Sequence, residues 1–387
     1  MKLGLVAVPL ILMGVTQAGV AATQGNFKRF SVSAGWLHVM PQGKANPFNI
    51  NTAVANGTTS TVGAISAGAF LNSINPNAKL TTGENAKEIL NMVFDNPKDP
   101  DTGEYIIDPD TGKPVPSMGQ LLGFADENNI VASEITGEAT IDGLEQWRQS
   151  GTGLEAEDVD TLGLTLNYYI NDNVSLQLIG GIPPKVDIKG VGEIKAPLSG
   201  FAVPGDDVKP ITGDRLDLLQ DIPITNLGNK SKAATVRAWT PALEAQYQFG
   251  KSGVNKFRPY VGVGLMYAYF NDIKLNSEIR SDLEAAGHMI QNVLDNKAGA
   301  ALDGKISSGV MRVDVDADDA IAPIVTAGFT YDLNDNWYGV ASVSYAKLNN
   351  KTTINVVNES TGQQLIHATT KIDIDPLITY LGVGYRF

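Results

Sequence analysis

The C-terminal stretch alternates. Counting back from Phe387, Tyr385, Val383, Leu381, Thr379 and Leu377 fall on one face, and Arg386, Gly384, Gly382, Tyr380 and Ile378 on the other. One face is large and mostly apolar; the other is small or polar with an aromatic, which is period-two amphipathicity. An aromatic at the very end of such a strand fits anchorage at a membrane interface, where barrel strands turn apolar residues to lipid and carry aromatic girdles at both edges. Further segments alternate in the same way: Phe27–Met40, Asp160–Ile170, Asn173–Pro183, Ala234–Phe249, Lys256–Phe270, Ala322–Leu333 and Trp337–Leu348, with Thr370–Phe387 as the eighth. Each reaches the roughly 9–11 residues that a tilted membrane strand requires.

The connections sort by length. Asn171-Asp172, Gly250–Asn255 and Asn334–Asn336 are short and carry turn residues. The connections over 41–159, 184–233, 271–321 and 349–369 are long. Strict alternation of short and long links predicts an all-β fold: an eight-stranded antiparallel transmembrane β-barrel with short periplasmic turns and long extracellular loops. The loops are expected to carry short helices. Thr81-Thr-Gly-Glu84 resembles a capping box before Ala86, Ile89, Leu90 and Val93, and Ser281-Asp-Leu-Glu284 another before Ala286, Met289, Ile290 and Val293. Asp99-Pro-Asp-Thr-Gly103 recurs as Asp108-Pro-Asp-Thr-Gly112, which predicts paired turns.

Composition narrows the class. Residues 1–22 read as a secretory signal, with Lys2, an apolar run and Val20-Ala21-Ala22 before the cleavage position. Residues 23–387 then form a single outer-membrane barrel domain, with 41–159 as a large extracellular insertion. Cys 0 excludes disulfides and thiolate chemistry. A net charge of -13 argues against a nucleic-acid partner. The mean hydropathy of -0.05 suits a chain in which half the strand residues face away from lipid.

Phasing each strand by its large apolar residues assigns the lumen. Leu37, Val39, Ile179, Met266, Phe270, Ile324 and Ile378 collect at the outer end, and Glu244, Gln246, Tyr260 and Arg386 at the periplasmic end. The lower lumen is expected to form a hydrogen-bonded polar plug, with Glu244 and Arg386 placed to pair. The apolar upper lumen reads either as barrel packing or as a pocket for a small hydrophobic ligand. Pro183 and Pro184 end the third strand near the rim, and proline cannot donate to the ladder, so a lateral opening is expected there. His38, His288 and His367 lack metal-ligand spacing, so no metal or cofactor site is expected. Asp314–Asp319 lacks the Gly and Glu of an EF-hand and reads as a solvated acidic loop. No nucleophile constellation points to an enzyme.

Several of these segments also carry a family likeness. Lys256-Phe-Arg-Pro-Tyr-Val-Gly-Val-Gly264, Thr240-Pro-Ala-Leu-Glu-Ala-Gln-Tyr-Gln-Phe-Gly250, Asn334-Asp-Asn-Trp337 and the ending Gly382-Val-Gly-Tyr-Arg-Phe387 resemble the OmpW family. The resemblance implies an eight-stranded barrel of the cell outer membrane, surrounded by lipid and lipopolysaccharide, monomeric, with an apolar lumen. It implies passage of small hydrophobic molecules with lateral release through the wall. The C-terminal strand would engage the barrel-assembly machinery. The first loop is several times the usual family length, which leaves a surface adhesin or receptor acting through its loops as the alternative function.

Overall fold

The computed structural model describes residues 27–387; the secretory signal expected over 1–22 lies outside them. Eight strands close a barrel: β1 Phe30–Met40, β2 Val159–Tyr169, β3 Val174–Gly181, β4 Ala242–Gln248, β5 Phe257–Leu275, β6 Ala320–Asp332, β7 Trp337–Ala346 and β8 Leu377–Arg386. Each pairs antiparallel with its sequence neighbour, and β1 pairs with β8 to close the ring, from Ser31 opposite Arg386 to Met40 opposite Leu377. Closure removes the free edges that hydrocarbon cannot solvate.

The predicted phase holds on every strand. On β5, Val261, Val263 and Leu265 are exposed while Tyr260, Met266 and Ala268 are buried. Exposed aromatics form two girdles on the outer face. Phe30, Tyr168, Tyr247, Phe257, Phe329 and Trp337 ring the periplasmic end, and Trp36, Trp239, Tyr267, Tyr269 and Tyr345 the other. Phe387 stacks on Phe30 at 6.1 Å, so the terminal aromatic is part of the lower girdle.

Two predicted strands are broken by proline. The segment over 234–249 divides into Ala234–Trp239 and β4, with Thr240-Pro241 between them. The segment over 370–387 divides into Gln363–Asp373 and β8 around Pro376, where Asp375 takes a φ of 39°. In both places the chain leaves the membrane wall and enters a second structure.

That structure is a cap built from all four long connections. Leu216–Asn226, Glu193–Val203, Glu138–Asp142 and Thr58–Thr61 form one sheet; Met311–Ala317, Asn349–Asn358, Gln363–Asp373, Phe48–Thr52 and Gln146–Gln149 form another. Gly153–Ala156, Lys185–Val191 and Ala234–Trp239 continue the barrel wall upward. β5 is 19 residues long, and its last part, from Tyr269 to Leu275, pairs with Ala234–Trp239, so one strand belongs to both barrel and cap. At the seam Asp187 accepts hydrogen bonds from Lys232 (3.0 Å) and Thr235 (2.8 Å), which hold its carboxyl below the usual carboxylate range. The connections are therefore mainly β-structure with helices added, and one apolar core runs through them.

The helices lie where expected, but their starts differ. Ala86–Phe94 is capped by Asn85, whose side chain accepts from Glu88 N, and not by Thr81, which instead donates to Pro210 and Ile211 carbonyls. Ser277–Leu294 is capped by Asn276, and Ser281 lies inside the helix with its hydroxyl on Ser277 O. Asn is as good an N-cap as Ser or Thr. The doubled motif forms two matching turns, in which Asp99 and Asp108 each accept backbone N–H bonds from the residues two and three positions on.

Inward glycines make room for inward rings. A Cβ on Gly384 would lie 2.2 Å from the ring of Tyr338, which is almost completely buried. Gly384→Leu is expected to destabilise the barrel by about 3 kcal/mol, the upper end for overpacking against a ring with nowhere to move. Gly339→Ala, with open space at its Cβ, should leave stability unchanged. Urea unfolding in lipid vesicles, followed by gel mobility of unheated samples, measures both.

Candidate functional site: an apolar chamber above a polar plug

The lower lumen is filled by paired polar groups. Thr326 donates to Glu244 Oε1 at 2.6 Å and shares a 2.7 Å bond with Ser344. Gln246 donates to Gln177, and Gln248 to Thr330 at 2.7 Å. Ser33 links Thr165 (2.7 Å) and Tyr380 (2.8 Å) across three strands. A void of about 10 Å³ remains between Asn167, Gln177, Gln246 and Tyr260, room for one water at most. This end is a seal, not an aqueous pore.

The expected Glu244–Arg386 pair does not form. Arg386 pairs with Asp332 at 2.6 Å, and its guanidinium lies 4.3 Å from the centre of the Tyr338 ring. Glu244 sits one layer higher, where only hydroxyl and amide donors reach it. A second buried cation, Arg258, closes the base by donating to the Asp172 carbonyl and lying 3.6 Å from that residue's carboxylate. Arg258 and Asp332 escaped the sequence reading although each is in phase with a residue that was placed inward, Tyr260 and Thr330. An inward charge on an otherwise apolar membrane strand is the signal that finds such residues.

Above the plug the lumen turns apolar. Ala242, Met266, Ala268, Ala322, Ile324 and Ala346 form a buried layer, with Ile179, Phe270 and Ile378 packed against it. Above that layer lies a cavity of about 150 Å³. Leu37, Val39, Met266, Phe270 and Ile378 line it from below, whereas Ile179 and Ile324 pack in the layer beneath without reaching its wall. The upper wall comes from the cap: Phe48, Leu154, Val186, Ile188, Val236 and Ile279 among others. These residues lie far apart in sequence on short strands, which is why alternation along single segments did not reveal them.

The wall beside this cavity is interrupted. Backbone partners between β3 and β4 run to Ile179 opposite Ala242 and resume at Lys185 opposite Arg237. Between them stand Pro183 and Pro184 on one side and Pro241 on the other. The last link above is Ala238 N–H to Pro184 O at 3.1 Å. Pro184 and Thr240, from the two sides of the interruption, both line the cavity.

The histidines are scattered: His38 bonds Asp160, His288 bonds Ser307 and His367 bonds Asn355. Asp314 and Asp316 lie on a cap strand, and Asp319 accepts from the Tyr267 hydroxyl at 2.6 Å.

Residues 303–387, which hold β6, β7 and β8, match the OmpW family. Outer membrane protein W of Vibrio cholerae serotype O1 is 26% identical over 226 residues, covering 58% of this chain and 73% of that protein. Outer membrane protein W of Escherichia coli K12 is 23% identical over 237 residues, covering 61% and 76%. Among solved structures, the outer membrane protein OprG of Pseudomonas aeruginosa is similar at 16% identity, covering 93% of this chain and 96% of that one, with a TM-score of 0.44.

Removing the charge of Arg386 would leave Asp332 buried and unpaired. Arg386→Gln is expected to lower the unfolding free energy in vesicles by about 3 kcal/mol. Adding Asp332→Asn should recover most of that loss, since the cost arises from the orphaned carboxylate rather than from the missing contact.

Proposed function

We propose that the chain is an OmpW-family outer-membrane barrel, as the match over 303–387 and the relatives it resembles support, and that it passes small hydrophobic molecules into the outer membrane, releasing them sideways between β3 and β4. One observation carries the reading: the apolar cavity has a polar seal beneath it and a proline-interrupted wall beside it. A molecule that cannot cross the plug leaves by the side. The seam is the weakest part of the wall, because its prolines lack the N–H that would stitch it. Lipid beyond it offers an apolar solute the same favourable environment as the cavity, so transfer needs no energy source.

The cavity sets the ligand class. Its volume matches the roughly 150 Å³ of apolar space known to stay dry and hold benzene. Single-ring aromatics and short alkanes fit, and the walls are overwhelmingly apolar, with Glu157, Thr240, Asn350 and Thr352 the polar side chains among them. Leu37, Val39, Met266, Phe270 and Ile378 form the floor; Ile179 and Ile324 support it from below; Pro183 and Pro184 frame the exit; Glu244, Gln246, Tyr260 and Arg386 keep water and ions out.

Ala238, buried on the cavity wall, offers a way to fill the space without adding charge. Ala238→Phe is expected to slow uptake of toluene or octane about tenfold, equivalent to ~1.4 kcal/mol, in cells lacking the wild-type protein. Replacing Pro183 and Pro184 together by Val should slow uptake while leaving ligand binding to purified protein intact. Unchanged uptake in both variants, with normal folding, would remove the transport reading.

A further inference from the structure

We propose that the outer tip of the cap holds a second binding site for small apolar molecules, joined to the barrel chamber through the interior of the cap. The ligand class rests on the transport reading; the site itself rests on the cap's own geometry. A cavity of about 100 Å³ lies at the tip between the helix Ala86–Phe94 and the turn over 204–212. Leu122 and Ile211 line it although they are 57% and 49% exposed, so large apolar side chains stand at its mouth. Exposed leucine and isoleucine at the rim of an apolar cavity are what a receiving site for a hydrophobic solute needs.

The cavity is dry by construction. Its hydroxyls belong to Thr136 and Thr212, and both are satisfied by carbonyls: Thr136 donates to Gly63 O at 2.8 Å and Thr212 to Val208 O at 3.0 Å. With no unpaired polar group to hold it, water gains little there, and an apolar molecule can occupy the space.

The tip cavity is also the first of a series. It shares Phe70, Thr136 and Ala202 with a cavity of about 40 Å³. That one shares Met289 with a third of about 50 Å³. The third shares Phe48, Leu227, Ile279 and Ile354 with the barrel chamber. Well-packed interiors hold few voids above the size of a water, so four apolar voids sharing walls from the tip to the membrane are not ordinary packing. Met289 stands at the middle neck, and its unbranched, polarisable side chain can move aside without breaking any hydrogen bond. Phe70 stands at the outer neck, edge-on to Phe94 at 5.5 Å.

The test uses the full chain in lipid nanodiscs with methyl-labelled isoleucine and leucine, titrated with toluene. Ile89 and Leu122 report the tip and Ile273 the barrel chamber. Saturable shifts at the tip methyls are expected, and their absence while Ile273 responds would overturn the tip site and leave the transport reading standing. A response at the tip with none at Ile273 would keep the tip site and remove the transport reading. Ala301→Phe, which fills the 40 Å³ cavity from a buried residue that does not line the tip, should preserve the tip response and reduce cellular toluene uptake severalfold; undiminished uptake would overturn the connection. Ala139→Phe, on another wall of the same cavity, is the second variant should Ala301→Phe fail to fold, and Val93→Phe, which fills the tip cavity from a half-buried position, should abolish the Leu122 response.

Discussion

Hydrocarbon offers the backbone no hydrogen-bond partner, and everything in this molecule answers to that. Eight strands close on themselves because an open edge would strand a row of N–H and C=O groups, each costing several kcal/mol. Closure fixes the phase of every strand, and the phase fixes what meets lipid and what fills the lumen. It also makes the single interrupted seam meaningful. Prolines at 183, 184 and 241 stand where β3 and β4 reach the outer end of the membrane wall, close to the interface, where unpaired carbonyls can still find water or headgroups. The same prolines in the middle of the wall would be ruinous.

The lumen divides two kinds of burial. Below, most polar side chains find partners, with Asn167 Oδ1 and Arg386 Nη2 left without one, and the two cations are matched by Asp332 and Asp172. Such a network contributes little net stability, but losing one member is costly, so it holds a closed floor. Above, burial is apolar, and the walls are contributed by segments from both ends of the sequence. Phe48 and Ile354 meet in one chamber wall only because the first and last long connections pair, Phe48–Thr52 with Gln363–Asp373.

The barrel could be read from the chain because alternation is a local property: Val261, Val263 and Leu265 announce their face within a few residues. The plug was half legible. Glu244 and Gln246 were placed by phase, but partner choice depends on stagger between strands, and that sends Arg386 to Asp332 rather than to Glu244. The cap was largely illegible. Strands such as Thr58–Thr61 and Gln146–Gln149 are four residues long, too short for alternation to stand out, and their pairing joins residues far apart in sequence. Prolines 241 and 376 read as part of strands because the apolar pattern continues through them; only the three-dimensional path shows that the chain bends there. Asn85 and Asn276 start their helices beside Thr-x-x-Glu and Ser-x-x-Glu motifs that carry the same capping signal, so local sequence does not distinguish the two starts.

β5 has one more implication. At roughly 3.3 Å per residue, its 19 residues make a spar of about 60 Å, twice the ~30 Å of the hydrocarbon layer. The strand bends once, at the bulge near Asp272 where φ is 51°, and otherwise runs unbroken from the periplasmic girdle into the cap. A mast seated in the hull this way ties the superstructure to the membrane wall by continuous backbone, so the outermost face of the protein is carried by the same strand that lipid grips below.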